Sequence, residues 1–181
     1  SMYYNFGEWK NTEVGNDGRI ATIEDIVRCN GEIWMTAKMK SGEFKLFRED
    51  KEMAFETDSG QMVDSAFIIS DGNYVFQAGY ASSAGKNSPG SVYIWKDGKI
   101  LHRLPEGAEI MDKGVEDGKP FVLFYRVLAD GKRCYYFWRK DSLYLLGSGY
   151  RYSGPGSIQV AGGVLHAALS PSTMDGRAVL W

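Results

Sequence analysis

No window of this sequence holds an apolar repeat near 3.6 residues, so amphipathic helices are not predicted. Short runs rich in aromatic and β-branched residues recur instead: Glu43-Phe44-Lys45-Leu46-Phe47, Ser91-Val92-Tyr93-Ile94-Trp95, Cys134-Tyr135-Tyr136-Phe137-Trp138 and Arg177-Ala178-Val179-Leu180-Trp181. Such runs favour pleated strands, where these side chains pack against cross-strand neighbours. The dipeptides Asn30-Gly31, Asp71-Gly72, Asp117-Gly118 and Gly162-Gly163 read as tight hairpins, because both central residues of such a turn need positive φ. Each is predicted to join a first strand (Ile23 to Cys29, Asp64 to Ser70, Ile110 to Glu116, Gly156 to Val160) to a second (Ile33 to Lys38, Tyr74 to Tyr80, Phe121 to Arg126, Val164 to Leu169). The aromatic run is the third strand. A fourth follows a short charged turn, as in Lys96-Asp97-Gly98-Lys99 before Ile100 to Leu104.

An aromatic followed by a basic residue marks the unit. Trp9-Lys10, Phe47-Arg48, Trp95-Lys96, Trp138-Arg139 and the terminal Trp181 are spaced 38, 48, 43 and 43 residues apart, and the hairpin dipeptides recur in phase. That period accommodates four strands and leaves no room for a helix as well. The ring of each pair is expected to pack between neighbouring units, with the Lys or Arg stem covering it. Complete units run about 20–55, 62–104 and 108–146, whereas 157–181 supplies only three strands. An amino-terminal strand over 3–14 is predicted to be the missing outer strand, which would tie the chain ends together and remove open sheet edges. The prediction is a single all-β domain over 1–181, a four-bladed β-propeller with the N-terminal strand completing the last blade. A fragment of a larger propeller is the alternative.

The segments Val92-Tyr93-Ile94-Trp95-Lys96-Asp97-Gly98 and Phe67-Ile68-Ile69-Ser70-Asp71-Gly72-Asn73-Tyr74-Val75-Phe76-Gln77-Ala78-Gly79 resemble a repeat of uncharacterised bacterial β-propeller proteins, whose blades read approximately YWKNG and then SGNDVYVAG. The sequence departs from that repeat at Pro120-Phe121-Val122-Leu123-Phe124 and at Gly162-Gly163-Val164-Leu165-His166. The resemblance implies a fold and carries no activity with it.

With 181 residues, 44% of them hydrophobic and 24% charged, the chain is long enough to bury a core, which excludes a disordered segment. The uncharged stretches pass through Gly, Ser and Pro, so no transmembrane helix is predicted and the protein is expected to be soluble. A net charge of −2 gives no reason to expect nucleic acid or membrane insertion. Cys29 and Cys134 are too far apart in sequence for a CxxC pair and are read as buried thiols. Met2 to Phe6 has neither the basic start nor the apolar run of a signal peptide, so a cytoplasmic location is the simpler expectation. Removal of an export signal before Ser1 would leave an extracellular one.

In such a fold the tight hairpins gather at one end of the sheets and the longer connections at the other, where binding residues tend to be mounted. The long-connection segments carry nine basic residues against seven acidic ones, a mild preference for an anion. Their most distinctive stretch is Gly147-Ser148-Gly149-Tyr150-Arg151-Tyr152-Ser153-Gly154-Pro155-Gly156. Read as a loop, it offers backbone N–H groups, a guanidinium fork for phosphate and two rings for stacking, without the Gly-Lys-Ser/Thr of a P-loop. Arg126, Arg151, Lys38, Tyr80, Tyr150 and Tyr152 are the candidate ligand-binding residues, for a small anionic, nucleotide-like ligand held without catalysis. A protein-interaction platform and a carbohydrate-binding propeller are the alternatives. First-strand residues Asp25, Arg28, Asp64, Ser65, Asp112, Lys113, Ser157 and Gln159 would line the channel. The fourth unit lacks an acid there and no calcium loop appears, so neither metal nor cofactor is expected. His102 and His166 fall in different strand types and no HExxH, GxSxG or Cys/His signature occurs, so an enzyme is not the favoured reading.

Overall fold

The computed structural model describes residues 2–5, 8–11, 18–83, 90–148, 150–152, 158–161, 164–171 and 179–180. In chain order the strands are β1 (Met2–Asn5), β2 (Glu8–Asn11), β3 (Ile20–Cys29), β4 (Glu32–Met39), β5 (Phe44–Arg48), β6 (Lys51–Ala54), β7 (Gln61–Ser70), β8 (Val75–Ser83), β9 (Ser91–Lys96), β10 (Lys99–Leu104), β11 (Ala108–Glu116), β12 (Lys119–Val127), β13 (Arg133–Arg139), β14 (Ser142–Ser148), β15 (Tyr150–Tyr152), β16 (Ile158–Ala161), β17 (Val164–Pro171) and β18 (Val179–Leu180). Among the described residues there is no helix, hence none long and apolar enough to cross a membrane.

The fold is all-β and built of four-stranded antiparallel sheets. Three are simple meanders: β3-β4-β5-β6, β7-β8-β9-β10 and β11-β12-β13-β14. In the fourth, β17 pairs β16 along Val164–Ala167, β15 along Leu169–Pro171 and β18 at Ala168 and Leu169. The single strand expected over 3–14 is instead a hairpin, β1 with β2, in which Met2 faces Asn11 and Asn5 faces Glu8. Among the described residues neither of its strands pairs with β18.

The turns follow the dipeptide chemistry with one correction. Asn30-Gly31 (φ 50° and 84°), Asp97-Gly98 (52° and 76°) and Asp117-Gly118 (50° and 69°) are two-residue turns with both φ values positive. Asp71-Gly72 is not. Ser70 pairs with Val75, so Asp71 to Tyr74 form a four-residue loop in which only Gly72 has positive φ. The reason is local: Asp71 Oδ1 accepts hydrogen bonds from the N–H groups of Asn73 and Tyr74, each at 2.9 Å, and this competes with the tighter turn. Gly162-Gly163 lies outside the described residues.

Consecutive sheets pack through their first strands: β7 lies against β3, β4 and β5, β11 against β7, and β16 against β11. Between the first two sheets are Cys29, Trp34, Leu46, Ile68 and Val75, and a second group of Phe44, Val63, Ala66, Ala81, Tyr93 and Trp95. Ile69, Phe76, Val92, Ile94, Val122, Phe124 and Trp138 fill the next seam. Phe121, Leu123, Tyr135, Phe137 and Leu146 pack toward Val160 and Leu165 of the fourth sheet. Each of the large side chains contributes about 1.5–3 kcal/mol by leaving water, so these seams are the main source of stability. Both cysteines are buried and unpaired.

The marker rings are core, as the spacing suggested: Phe47, Trp95 and Trp138 are all buried. Their basic neighbours do not cover them, however. Successive strand residues point to opposite faces, so the Arg48 guanidinium lies over Trp34 at 5.2 Å and the Lys96 ammonium over Phe76 at 5.9 Å.

Candidate functional site

The first strand of each of the three meanders carries an extra residue beside its channel position, and β3 has another at Ala21. In β3 the register steps from Ile23–Ala37 to Asp25–Thr36, in β7 from Val63–Ala81 to Ser65–Tyr80, and in β11 from Ile110–Phe124 to Asp112–Leu123. Glu24, Asp64 and Met111 are the bulged residues. A bulge re-aims the side chain that follows it. Asp25 is thereby turned onto the next sheet: its Oδ1 accepts from Ile26 N at 2.9 Å and its Oδ2 from Ile68 N at 2.8 Å. At the equivalent position Asp112 Oδ1 accepts from Lys113 N at 2.8 Å. Two of the expected channel acids are therefore occupied in holding backbone, and Ser65 takes the same place in the second sheet. The Lys113 ammonium sits 4.7 Å over Phe67. Among the described residues no three His, Cys, Asp or Glu side chains converge as a metal site would need.

Antiparallel meanders place the connections β4–β5, β6–β7, β10–β11 and β12–β13 at one end of the sheets, where the sequence placed the site. Lys38 is exposed there, opposite Thr22 and Phe44 in register. Arg126 is half-buried, and its Nε donates to the carbonyl oxygen of Glu106 at 2.9 Å, pinning the β10–β11 connection. Tyr80 belongs to the seam between the second and third sheets. Its ring meets Phe67 edge-on at 6.3 Å, its hydroxyl accepts from Ile110 N at 2.7 Å, and burial holds the phenol pKa above its ordinary value. Its hydroxyl bonds a neighbouring backbone where the sequence reading offered it to a ligand. Tyr150, Arg151 and Tyr152 do not form a loop. They are strand β15, with Tyr150 opposite Pro171 and Tyr152 opposite Leu169. A Tyr-Arg-Tyr run has strong strand preference, and pairing with β17 satisfies backbone groups that a glycine-flanked loop would leave to solvent. Their side chains lie outside the described residues.

Among the described residues three clefts stand out, and none of the three is lined by Lys38, Tyr80 or Arg126. The largest of the three, about 500 Å³, opens at the long-connection end of the first sheet between Gly18, Arg19, Met39, Lys40, Ser41, Glu43, Lys45 and Glu52. Arg19 pairs with Glu52 at 3.1 Å, and Lys45 lies 3.5 Å from Glu43 and 3.7 Å from Glu52. A second, about 180 Å³, opens at the tight-turn end between the first two sheets, with Trp34, Tyr74, Arg48 and Lys96 in its wall. The third, about 130 Å³, lies beside Phe44, Phe55 and Gln61.

Sequence reasoning missed one polar cluster. The single Tyr93 O–H has two acceptors within reach, Asp58 Oδ2 at 2.8 Å and Gln61 Oε1 at 2.7 Å, and Arg103 Nη2 donates to Asp58 Oδ1 at 2.7 Å. Those bonds from Arg103, and then from Tyr93, hold the Asp58 carboxyl below its ordinary range. Nothing in the spacing announces it, because Asp58 and Arg103 are 45 residues apart. His102 stacks on Trp138 at 4.6 Å, and burial lowers its pKa from 6.5 despite the opposing charge of Asp141. His166 is exposed on β17 of another sheet, so the two imidazoles share no site.

Comparison of the chain with protein-family models, curated proteins and solved structures gives no match.

Proposed function

We propose that the four sheets form a closed four-bladed β-propeller that binds a small anionic, nucleotide-like ligand at its long-connection end without catalysing a reaction. Closure is supported by the outer face of the first sheet. Met35 and Ala37 are fully buried and Phe47 nearly so, yet among the described residues the group they form contains only residues of that sheet. A buried apolar face requires a cover, and the fourth sheet with the amino-terminal hairpin is the remaining structure able to supply it. The fold-level resemblance of Val92 to Gly98 to a propeller repeat agrees.

The binding reading rests on one observation, the cleft of about 500 Å³ bounded by Arg19, Lys40 and Lys45 against Glu43 and Glu52. Its volume suits a small molecule, whereas the other two clefts fall below the range of about 300–1,000 Å³ that such ligands occupy. Among the described residues Lys40 makes no ion pair, and Lys38 is exposed two positions away, so the positive charge available to a phosphate is local. The candidate site thus moves from Tyr80 and Arg126 toward Lys38 and Lys40. Exposed Val127, at the end of β12, and Leu128, in the connection that follows, favour a second reading, a protein partner at the same end.

Thermal unfolding with pyrophosphate, ATP, GTP and sugar phosphates at constant ionic strength tests the proposal. A ligand at a hundred times its Kd adds about 2.7 kcal/mol to the native state, which raises Tm by roughly 5–10 °C for a chain of this size. The Lys38→Glu/Lys40→Glu double variant is expected to lose that rise. No shift from any anion, or a shift unaltered in the double variant, overturns the proposal.

A further inference from the structure

The outer strands of the three meanders differ in one respect. β6 carries Lys51 and Glu52, and β10 carries Lys99 and Arg103 with a bulge at Leu101. Charges and bulges of this kind keep an open sheet edge from pairing with another chain. β14 reads Ser142-Leu143-Tyr144-Leu145-Leu146-Gly147-Ser148 and has no charge. Among the described residues it pairs only with β13. Leu143, Tyr144 and Leu145 are 48%, 53% and 65% exposed, an apolar run on an unprotected edge.

The register shows which backbone groups that edge presents. Lys140 and Asp141 have φ of 48° and 60°, a two-residue turn closed by Arg139 opposite Ser142. In such a hairpin the closing pair exchanges both backbone hydrogen bonds, and bonded and non-bonded pairs then alternate along the ladder. Phe137–Tyr144 is therefore a bonded pair, while Trp138–Leu143 and Tyr136–Leu145 are non-bonded ones. The N–H and C=O groups of Leu143 and Leu145 point away from β13, toward the open edge.

This pattern is symmetric about Tyr144, and from it we infer that β14 pairs with β14 of a second copy of this chain, antiparallel about a two-fold axis at Tyr144. Leu143 of one copy then faces Leu145 of the other, twice over, and the two pairs exchange four backbone hydrogen bonds. Tyr144 faces Tyr144 as a close non-bonded pair, with Cα atoms about 4.5 Å apart. Ser142 falls opposite Leu146 and Asp141 opposite Gly147, so no like charges meet. Leu146 is the bulged residue of β14, between the pairs Tyr136–Leu145 and Tyr135–Gly147. Regular pairing is thereby confined to a short stretch, and the association is weak and reversible. An unrelated extended peptide would satisfy the same two residues; the chain's own strand does so by setting Leu143 against Leu145 twice, with no charge brought to the edge.

Sedimentation equilibrium of the full chain, loaded up to roughly 1 mM, with the Tyr144→Lys and Tyr144→Glu variants separately and as an equimolar mixture, tests the inference. The wild type is expected to show a monomer–dimer equilibrium. Each variant alone associates at least about tenfold more weakly, because like charges meet on the axis, and the mixture regains association as Lys faces Glu. A wild type that stays monomeric, a Tyr144→Lys variant that dimerises as well as the wild type, or a mixture that regains nothing each overturns it. Amide hydrogen exchange on the wild type needs no variant to fold. Protection of the Leu143 and Leu145 amides should rise with protein concentration, while that of Tyr144, already bonded to Phe137, should not. Exchange at Leu143 and Leu145 that is independent of concentration likewise overturns the inference.

Discussion

Replacing Asp25 with alanine removes one of the hydrogen bonds that join the first sheet to the second, beside those from Thr36 to the Ala66 carbonyl and from Asn30 to the Gly72 and Asn73 carbonyls. The Asp25 side chain takes one hydrogen bond within its own strand, from the exposed Ile26 N–H, and one from the partly buried Ile68 N–H of the next sheet. The first bond competes with water and contributes little. The second is made by a charged acceptor to a backbone donor, and Ile68 is only 5% exposed, so the orphaned N–H lacks easy access to solvent. Bonds to charged groups contribute about 1.5–3 kcal/mol, and we expect a loss of about 2–3 kcal/mol in total. Urea unfolding at pH 7 should show that loss as a lower midpoint with an unchanged slope, since no surface is newly exposed in either end state. Amide exchange separates a seam effect from a general one: Ile68 should lose protection by a larger factor than amides of the third sheet, such as Leu123. A loss below about 0.5 kcal/mol, or uniform changes in exchange, would show that Asp25 does not hold the seam.

Two further outcomes follow from local geometry. A Cβ added at Gly79 would lie 2.0 Å from the Ser65 carbonyl oxygen and 2.9 Å from Ala66 Cα, both backbone atoms. Gly79→Ala should therefore cost about 3 kcal/mol in a thermal melt, and a cost under about 1 kcal/mol would mean that β7 and β8 separate easily there. His102 has a folded pKa below its unfolded value near 6.5, because the native state buries the neutral ring against Trp138. Its contribution is fully present above pH 6.5 and is lost as the pH falls through the lower folded value, where the unfolded chain binds the proton more readily. The urea midpoint should drop between pH 7.5 and 5.5 by less in His102→Phe than in the wild type, and equal drops would refute the assignment.

The strands were legible because each is bounded by residues that tolerate positive φ and filled with residues that pack on a pleated face. Asn30-Gly31 and Asp117-Gly118 turn where their chemistry says, and Phe47, Trp95 and Trp138 are core because nothing so large repeats at that interval on a surface. Asp71-Gly72 misled because an Asp side chain also caps a longer loop. The candidate site was less legible. Tyr80 is taken up by a bond to Ile110, 30 residues away, and the Tyr150 to Tyr152 run pairs with β17. Both partners are set by how sheets meet, and strand periodicity carries no record of that. The cleft at Arg19, Lys40 and Lys45 draws on β5 and β6 as well as a connection, so a search confined to connections reaches only part of it.

The extra residues Glu24, Asp64 and Met111 have an effect on what lengths the chain tolerates. Deleting one residue where a ladder runs without a bulge would turn every following side chain inside out. At these three places the ladder already absorbs a surplus position, so removing it leaves the alternation on either side in phase with its partner. Length variants of this protein should cluster at those sites in the first strands of the three meanders, as well as in the connections.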